Sequence, residues 1–186
     1  MGPGRKSQDD LVEEIVGRLM RRHSTAAVLF HHAVAECLGL GPTDHKCLDL
    51  LRERGAMSGS ELVAITGLTS GAITGVVTRL ERAGYLRRKS DPHDGRKQIL
   101  SPALERVQNL HDLFGPIRKD VAALLDAFGT HQLTAVAEFL ARSTDISYRH
   151  AALLRAETLS AAVQTVRAAE PPSRTARVKR HARHRK

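Results

Sequence analysis

Apolar residues recur at three- and four-residue intervals along most of the chain, a period that predicts helices. Leu11, Ile15, Leu19, Val28, Leu29 and Val34 trace the first, over residues 9–38, with "RRHST" at 21–25 interrupting the stripe. "GLGP" at 39–42 ends it, and Thr43 is placed to cap a second helix to about Arg54 that carries Cys47, Leu48, Leu50 and Leu51. "GAM" at 55–57 reads as a turn. Ser58 and Glu61 then form an S-x-x-E capping box ahead of "LVAI". Gly67 breaks that short helix, Thr69 or Ser70 caps the next, and Gly84 suits its C-terminal stop.

The helix from about 70 to 83 has two unlike faces. Ile73, Val76, Val77 and Leu80 make an apolar stripe, whereas Ser70, Gly71, Thr74, Gly75 and Thr78 face the other way. Beyond Gly84 the period changes. "YLRRKS" suits a strand, "DPHDG" is a turn in which Pro fixes φ and Gly permits φ > 0, and "RKQIL" can return, so residues 85–100 are predicted as a hairpin. Leu104, Val107, Leu110, Phe114, Ile117, Val121, Leu124 and Phe128 mark an amphipathic helix over 103–128, with a kink or break expected at Gly115-Pro116. Thr130 can cap another with Leu133, Val136, Phe139 and Leu140 inward. "STD" at 143–145 is expected to interrupt it, with Asp145 starting a further helix to about Ala169. Pro171-Pro172 closes the ordered chain, and the tail beyond is expected to be disordered. The expected fold is mostly α with a small β-wing. A flexible N-terminus (1–8) precedes a long helix (9–42), a compact module (43–101), C-terminal helices (102–169) and a tail (170–186).

Charge sharpens this outline. The 186 residues carry a net +9, but unevenly. Residues 171–186 hold seven Lys/Arg and no acid, and residues 79–97 hold seven basic residues against three acidic ones, which leaves the remainder slightly acidic. One internal patch and one tail therefore carry the positive charge, as on a surface for a polyanion. Aromatic content of 3% disfavours a stacking platform for single-stranded nucleic acid. No apolar run reaches transmembrane length, the N-terminus lacks a signal-peptide core, and two cysteines make no disulfide framework. A cytoplasmic, nucleoid-associated protein without a membrane partner is the expectation.

A capped short helix, a tight Gly turn, a second helix with a small polar outer face and a basic hairpin together predict a winged helix-turn-helix. Ser, Thr and Gly let a helix approach phosphates and base edges closely. In "RKSDPHDGRKQ" at 87–97, Asp94 stands two residues before Arg96. A carboxylate beside a guanidinium can hold it in one orientation, and an arginine so held can enter a narrow minor groove. Arg87, Arg88, Lys89 and Lys97 can meet flanking phosphates. An ordinary Asx-turn at the tip is the alternative for Asp94.

"TSGAITGVVTRLERAGYLRRKSDPHDGRKQ" at 69–98 resembles the recognition helix and wing of MarR-family bacterial transcription regulators. The family's D-x-R wing motif matches Asp94-Gly95-Arg96, and "LERAG" at 80–84 matches its helix end. The resemblance covers roughly residues 9–150. It implies a homodimer paired through the first and last two helices, with a recognition helix in each major-groove half-site and a wing in the adjacent minor groove. It places Ser58, Thr69, Ser70, Gly71, Thr74, Gly75, Thr78, Arg79, Arg87, Arg88, Asp94, Arg96 and Lys97 at double-stranded DNA. Gly75 stands where many members carry a larger residue, and the second wing strand is about two residues short. The resemblance also implies a repressor of a pseudo-palindromic operator, modulated by a small aromatic or anionic effector. His31, His32 and His45 could meet such an anion where the first two helices join, or be surface or core-edge histidines.

Cys37, His45 and Cys47 are chemically suitable zinc ligands, but their spacing fits no zinc motif, so no metal or cofactor is expected. Cys47, in the first turns of its helix beside Lys46, suits thiolate chemistry better than Cys37. No nucleophile–base pair, phosphate loop or H-E-x-x-H points to an enzyme. The competing class is an architectural, weakly sequence-specific DNA-coating protein, which the basic tail favours.

Overall fold

The computed structural model describes residues 6–92, 94, 97–103, 105–106 and 110–169. The N-terminal helical run comprises α1 (Gln8–Glu14), a π-helical turn (Ile15–Leu19) and α2 (Met20–Cys37). Ser7 and Asp10 cap it reciprocally, one position earlier than expected. Then come α3 (Pro42–Arg54), β1 (Met57–Ser58), α4 (Gly59–Thr66), α5 (Ser70–Arg82), β2 (Leu86–Ser90), β3 (Gln98–Pro102), α6 (Leu110–Leu125) and α7 (Thr130–Ala169).

The chain divides into two units, Met1–Ala123 and Leu124–Lys186. In the first, α3, α4, α5 and the sheet enclose a core in which Leu48, Leu51, Leu62 and Leu80 are completely buried. The sheet is antiparallel with strand order β1-β3-β2. Its register sets Leu100 opposite both Met57 and Arg88, so β3 turns one apolar side chain into the core while β2 keeps Arg87 and Lys89 outside. The expected hairpin is present. β1 replaces the expected turn at 55–57: two residues are too few to show an alternating pattern, and the pairing that makes them a strand comes from β3, about forty residues later.

Three boundaries differ from expectation. Gly41, not Thr43, is the N-cap of α3, because Pro42 takes the first helical turn, where its missing N–H is not needed. Of the kink or break expected at Gly115-Pro116, the break is absent: helix α6 runs through Pro116. The second unit is built on α7, which passes through 143–145 uninterrupted. Ser143, Thr144 and Ser147 donate their hydroxyls back to carbonyls three or four residues earlier, which keeps these polar groups satisfied within the helix. Among the described residues no single helix is long and apolar enough to cross a membrane. The expected disordered tail and most of the flexible N-terminus lie outside the described residues.

Candidate nucleic-acid interface

Local chemistry sets the angle between α4 and α5. Ser58 caps α4: its Oγ accepts from the Glu61 N–H at 3.3 Å, and its own N–H donates to Glu61 Oε2 at 2.6 Å. That Ser58 N–H bond, with a second donated by the Ser58 hydroxyl to Oε2 at 2.7 Å, holds the Glu61 carboxyl below its ordinary range. Gly67 ends α4 in the left-handed region at φ 72°, which a side chain would resist. Thr69 then accepts from the Ala72 N–H at 3.2 Å and starts α5, the two helices being bent by 116°. The far end of α5 closes with Tyr85 N–H donating to the Leu80 carbonyl and Gly84 N–H to that of Glu81, the six-to-one and five-to-two pair of a Schellman stop.

Four apolar residues of α5, Ile73, Val76, Val77 and Leu80, lie in the core, which fixes the helix rotation and exposes Ser70, Gly71, Thr74 and Thr78. Thr74 Oγ1 donates to the Ser70 carbonyl and Thr78 Oγ1 to that of Thr74, each at 2.9 Å. With their protons used in the helix, these hydroxyls present acceptor lone pairs and a methyl group outward, groups that can read amino donors and thymine methyls. Gly75 is half-buried because Arg79 lies over it: a Cβ there would stand 3.2 Å from Arg79 Nη1. Between α4, α5 and the wing lies a cleft of about 230 Å³ lined by Ser58, Ile73, Thr74, Arg88, Lys97 and Leu100.

The basic residues are arranged less simply than their spacing suggests. Arg79 is held by Asp44 of α3 through Nε–Oδ2 (2.8 Å) and Nη2–Oδ1 (2.7 Å). Arg88 on β2 places Nε 2.8 Å from Glu81 Oε2 and donates from Nη2 to Thr78 Oγ1 at 3.1 Å, which ties the wing to α5. Arg87 grips both oxygens of Glu105 at 2.9 Å. At the wing tip, Asp91 N–H donates to the Lys97 carbonyl and Lys97 N–H to that of Asp94. Asp94 N–H donates to Asp91 Oδ1 at 3.3 Å, and the Asp94 carboxylate lies 3.7 Å from Lys97 Nζ. Arg96 and Gly95 lie outside the described residues, and so does the expected Asp94–Arg96 pairing. No sequence motif singles out Asp44, Glu81 or Glu105, and Asp44 is 35 positions from Arg79.

The histidines separate. His31 and His45 come together with ring centroids 5.4 Å apart, beside Phe114, while His32 is exposed. Asp49, also unmarked by the sequence, places Oδ2 3.4 Å from Nδ1 of both. Burial holds both imidazoles below the ordinary histidine range. Neutral rings against a carboxylate offer little pull on an anion. Cys47 is buried, and burial together with the Asp44 carboxylate pushes its thiol up to about 11, against the expectation that Lys46 favours thiolate; Cys37 is exposed.

This geometry has known counterparts. The MarR family model matches residues 40–97, which span α3 to the wing. An HTH-type transcriptional regulator of Bacillus subtilis (strain 168), YcgE, is 38% identical over 142 residues, or 76% of this chain and 92% of that protein. Transcriptional regulator Tm0710 from Thermotoga maritima superposes with a TM-score of 0.54 at 20% identity, over 74% of this chain and 96% of that one. Apo wild-type MarR from E. coli does so with a TM-score of 0.50 at 18% identity, over 68% and 94%. These two likenesses are of fold.

Proposed function

This chain belongs to the MarR family of DNA-binding transcriptional regulators, and from that premise we propose that it is a homodimeric repressor acting in the cytoplasm on a pseudo-palindromic double-stranded operator. Helix α5 lies in the major groove with Ser70, Thr74 and Thr78 toward the bases. The wing enters the adjacent minor groove with Arg96, positioned by Asp94. Arg79, Arg87, Arg88 and Lys97 flank the phosphates. The observation that carries this reading is α5 itself, with its apolar stripe wholly buried and Ser70, Gly71, Thr74 and Thr78 exposed beside a cationic hairpin.

Two copies are needed because one small module rarely outcompetes genomic non-specific sites, whereas two half-sites roughly add their free energies. Apolar side chains suited to pairing are exposed on both the N-terminal helices and α7. A small-molecule effector that releases the DNA completes the proposal; it rests on the family alone.

The test is competition at fixed salt between a duplex selected from the source genome and random duplex of equal length. A specificity ratio of about a thousand or more is expected. Near-equal binding would replace this reading by the architectural one.

A further inference from the structure

We propose that His31, His45 and Asp49 form a zinc-class divalent metal site that joins α2 to α3. This goes beyond the DNA-binding reading and stands independently of it.

His45 and Asp49 are four residues apart on α3, hence on one face, and His31 reaches them from α2. One donor atom from each falls within 4.8 Å of the other two. Asp49 Oδ2 lies 3.4 Å from both Nδ1 atoms. Metal–ligand bonds of about 2.0–2.1 Å at tetrahedral angles put neighbouring donors about 3.3 Å apart, so the carboxylate already stands at the required spacing. The ordinary alternative, a carboxylate accepting from buried imidazoles, is not made. Among the described residues neither Nδ1, nor Nε2 of the 1%-exposed His45, has a hydrogen-bond partner. An unpartnered buried imidazole nitrogen is expensive, and a metal ion satisfies the Nδ1 of each ring directly.

The surroundings fit. Phe30 and Phe114 stack edge-on beside His31 and shield one side. His31 and Asp49 are about a quarter exposed, which leaves a path for the ion and a fourth position for water. Lys46 and Arg52 also reach Asp49, at 3.4 and 3.7 Å. A metal on Oδ2 displaces the exposed Lys46 and leaves Arg52 on Oδ1, where it orients the carboxylate. His45 follows Asp44 directly, so the metal and the Asp44–Arg79 brace share one turn of α3.

The test is zinc competition between the full chain and a chromophoric chelator, without DNA. The wild type should withdraw one zinc per chain, show raised thermal stability with zinc, and give tetrahedral visible bands with cobalt(II). His31→Gln and Asp49→Asn, which avoid the buried His45, should each weaken zinc at least about tenfold and abolish the thermal shift. His32→Gln, and a variant with both tail histidines His181 and His184 changed to Ala, should bind as the wild type does. Zinc held equally by H31Q and D49N, zinc lost with the tail histidines, or no competition by the wild type would each overturn the site.

Discussion

Asp44 and Arg79, 35 positions apart, meet by two hydrogen bonds of 2.8 and 2.7 Å, and this pair fastens the exposed side of α5 to α3. The acid is buried, whereas the arginine side chain is 58% exposed. The two partners are therefore not equivalent. A freed guanidinium would return to water, but a freed Asp44 carboxylate could not.

Arg79→Ala should lower the urea midpoint further than Asp44→Asn, and Arg79→Lys should fall between the wild type and the alanine variant, because an ammonium cannot make the two-point contact. Equal effects from the first two would mean that Asp44 is rehydrated when its partner is removed. In DNA binding, Asp44→Asn separates two roles for Arg79. Tighter binding would show an arginine restrained from the phosphates, and weaker binding an arginine aimed at them.

Gly75 lies under the same guanidinium. Ala in mid-helix is worth about 0.5–1 kcal/mol over Gly, and its methyl would meet Arg79 Nη1 at 3.2 Å, the nitrogen that Asp44 does not hold. A shift of a few tenths of an ångström relieves that contact, so Gly75→Ala should raise stability by about 0.5 kcal/mol while weakening DNA binding through the added bulk on the groove-facing side. Chemical denaturation and fluorescence anisotropy read the two effects separately. Lower stability would show that the guanidinium cannot move without loosening Asp44.

The ends of α4 and α5 were legible because each rests on contacts within five residues: the Ser58–Glu61 box, the Thr69 cap, and the stop at Gly84. The hairpin was legible for another reason: its strands, paired from Leu86 with Pro102 to Ser90 with Gln98, flank a segment whose proline and glycine signal a turn. What the sequence hid is long-range. β1 exists only through β3, Asp49 becomes notable only when α2 brings His31 beside it, and Asp44 only when α5 lays Arg79 across it. The "STD" segment misled in the opposite sense, since serine and threonine that can leave a helix can also bond back into it.

For the wing, Arg96→Ala should weaken operator binding by about 1–3 kcal/mol, the range of an arginine groove contact. Asp94→Ala should weaken it as well if the carboxylate positions that arginine. Anisotropy titrations at one salt concentration decide both. Unchanged affinity in the first variant would remove the wing from recognition, and tighter binding in the second would leave Asp94 as a repulsive charge only.

Cys47 gives a pH dependence of stated sign. Its folded-state value of about 11 lies above the ordinary 9.0, so the proton is held more tightly in the folded chain. The resulting stabilisation is complete below about pH 9 and declines as pH rises toward 11. Cys47→Ala, compared with the wild type across that window, should flatten the decline. At neutral pH a thiol reagent should label the exposed Cys37 and spare Cys47 until the chain unfolds. Early labelling of Cys47 would contradict its burial.

Helix α7 leaves Phe139, Ile146 and Leu153 exposed at seven-residue intervals, with Leu140 and Leu154 beside the first and last. That spacing keeps one seam along a 40-residue helix, as helix pairing requires. If a second copy covers the seam, Ile146→Glu with Leu153→Glu places two charges within it and should shift sedimentation from dimer to monomer. The helix-turn-helix core contains neither residue, so its fold should persist by circular dichroism. Operator affinity should then fall by at least about a hundredfold, because a monomer loses the contribution of the second half-site. A variant that remains dimeric with unchanged affinity would show that the two chains pair through another surface, and the N-terminal apolar residues Leu11, Val12, Val16 and Leu19 would be next to substitute.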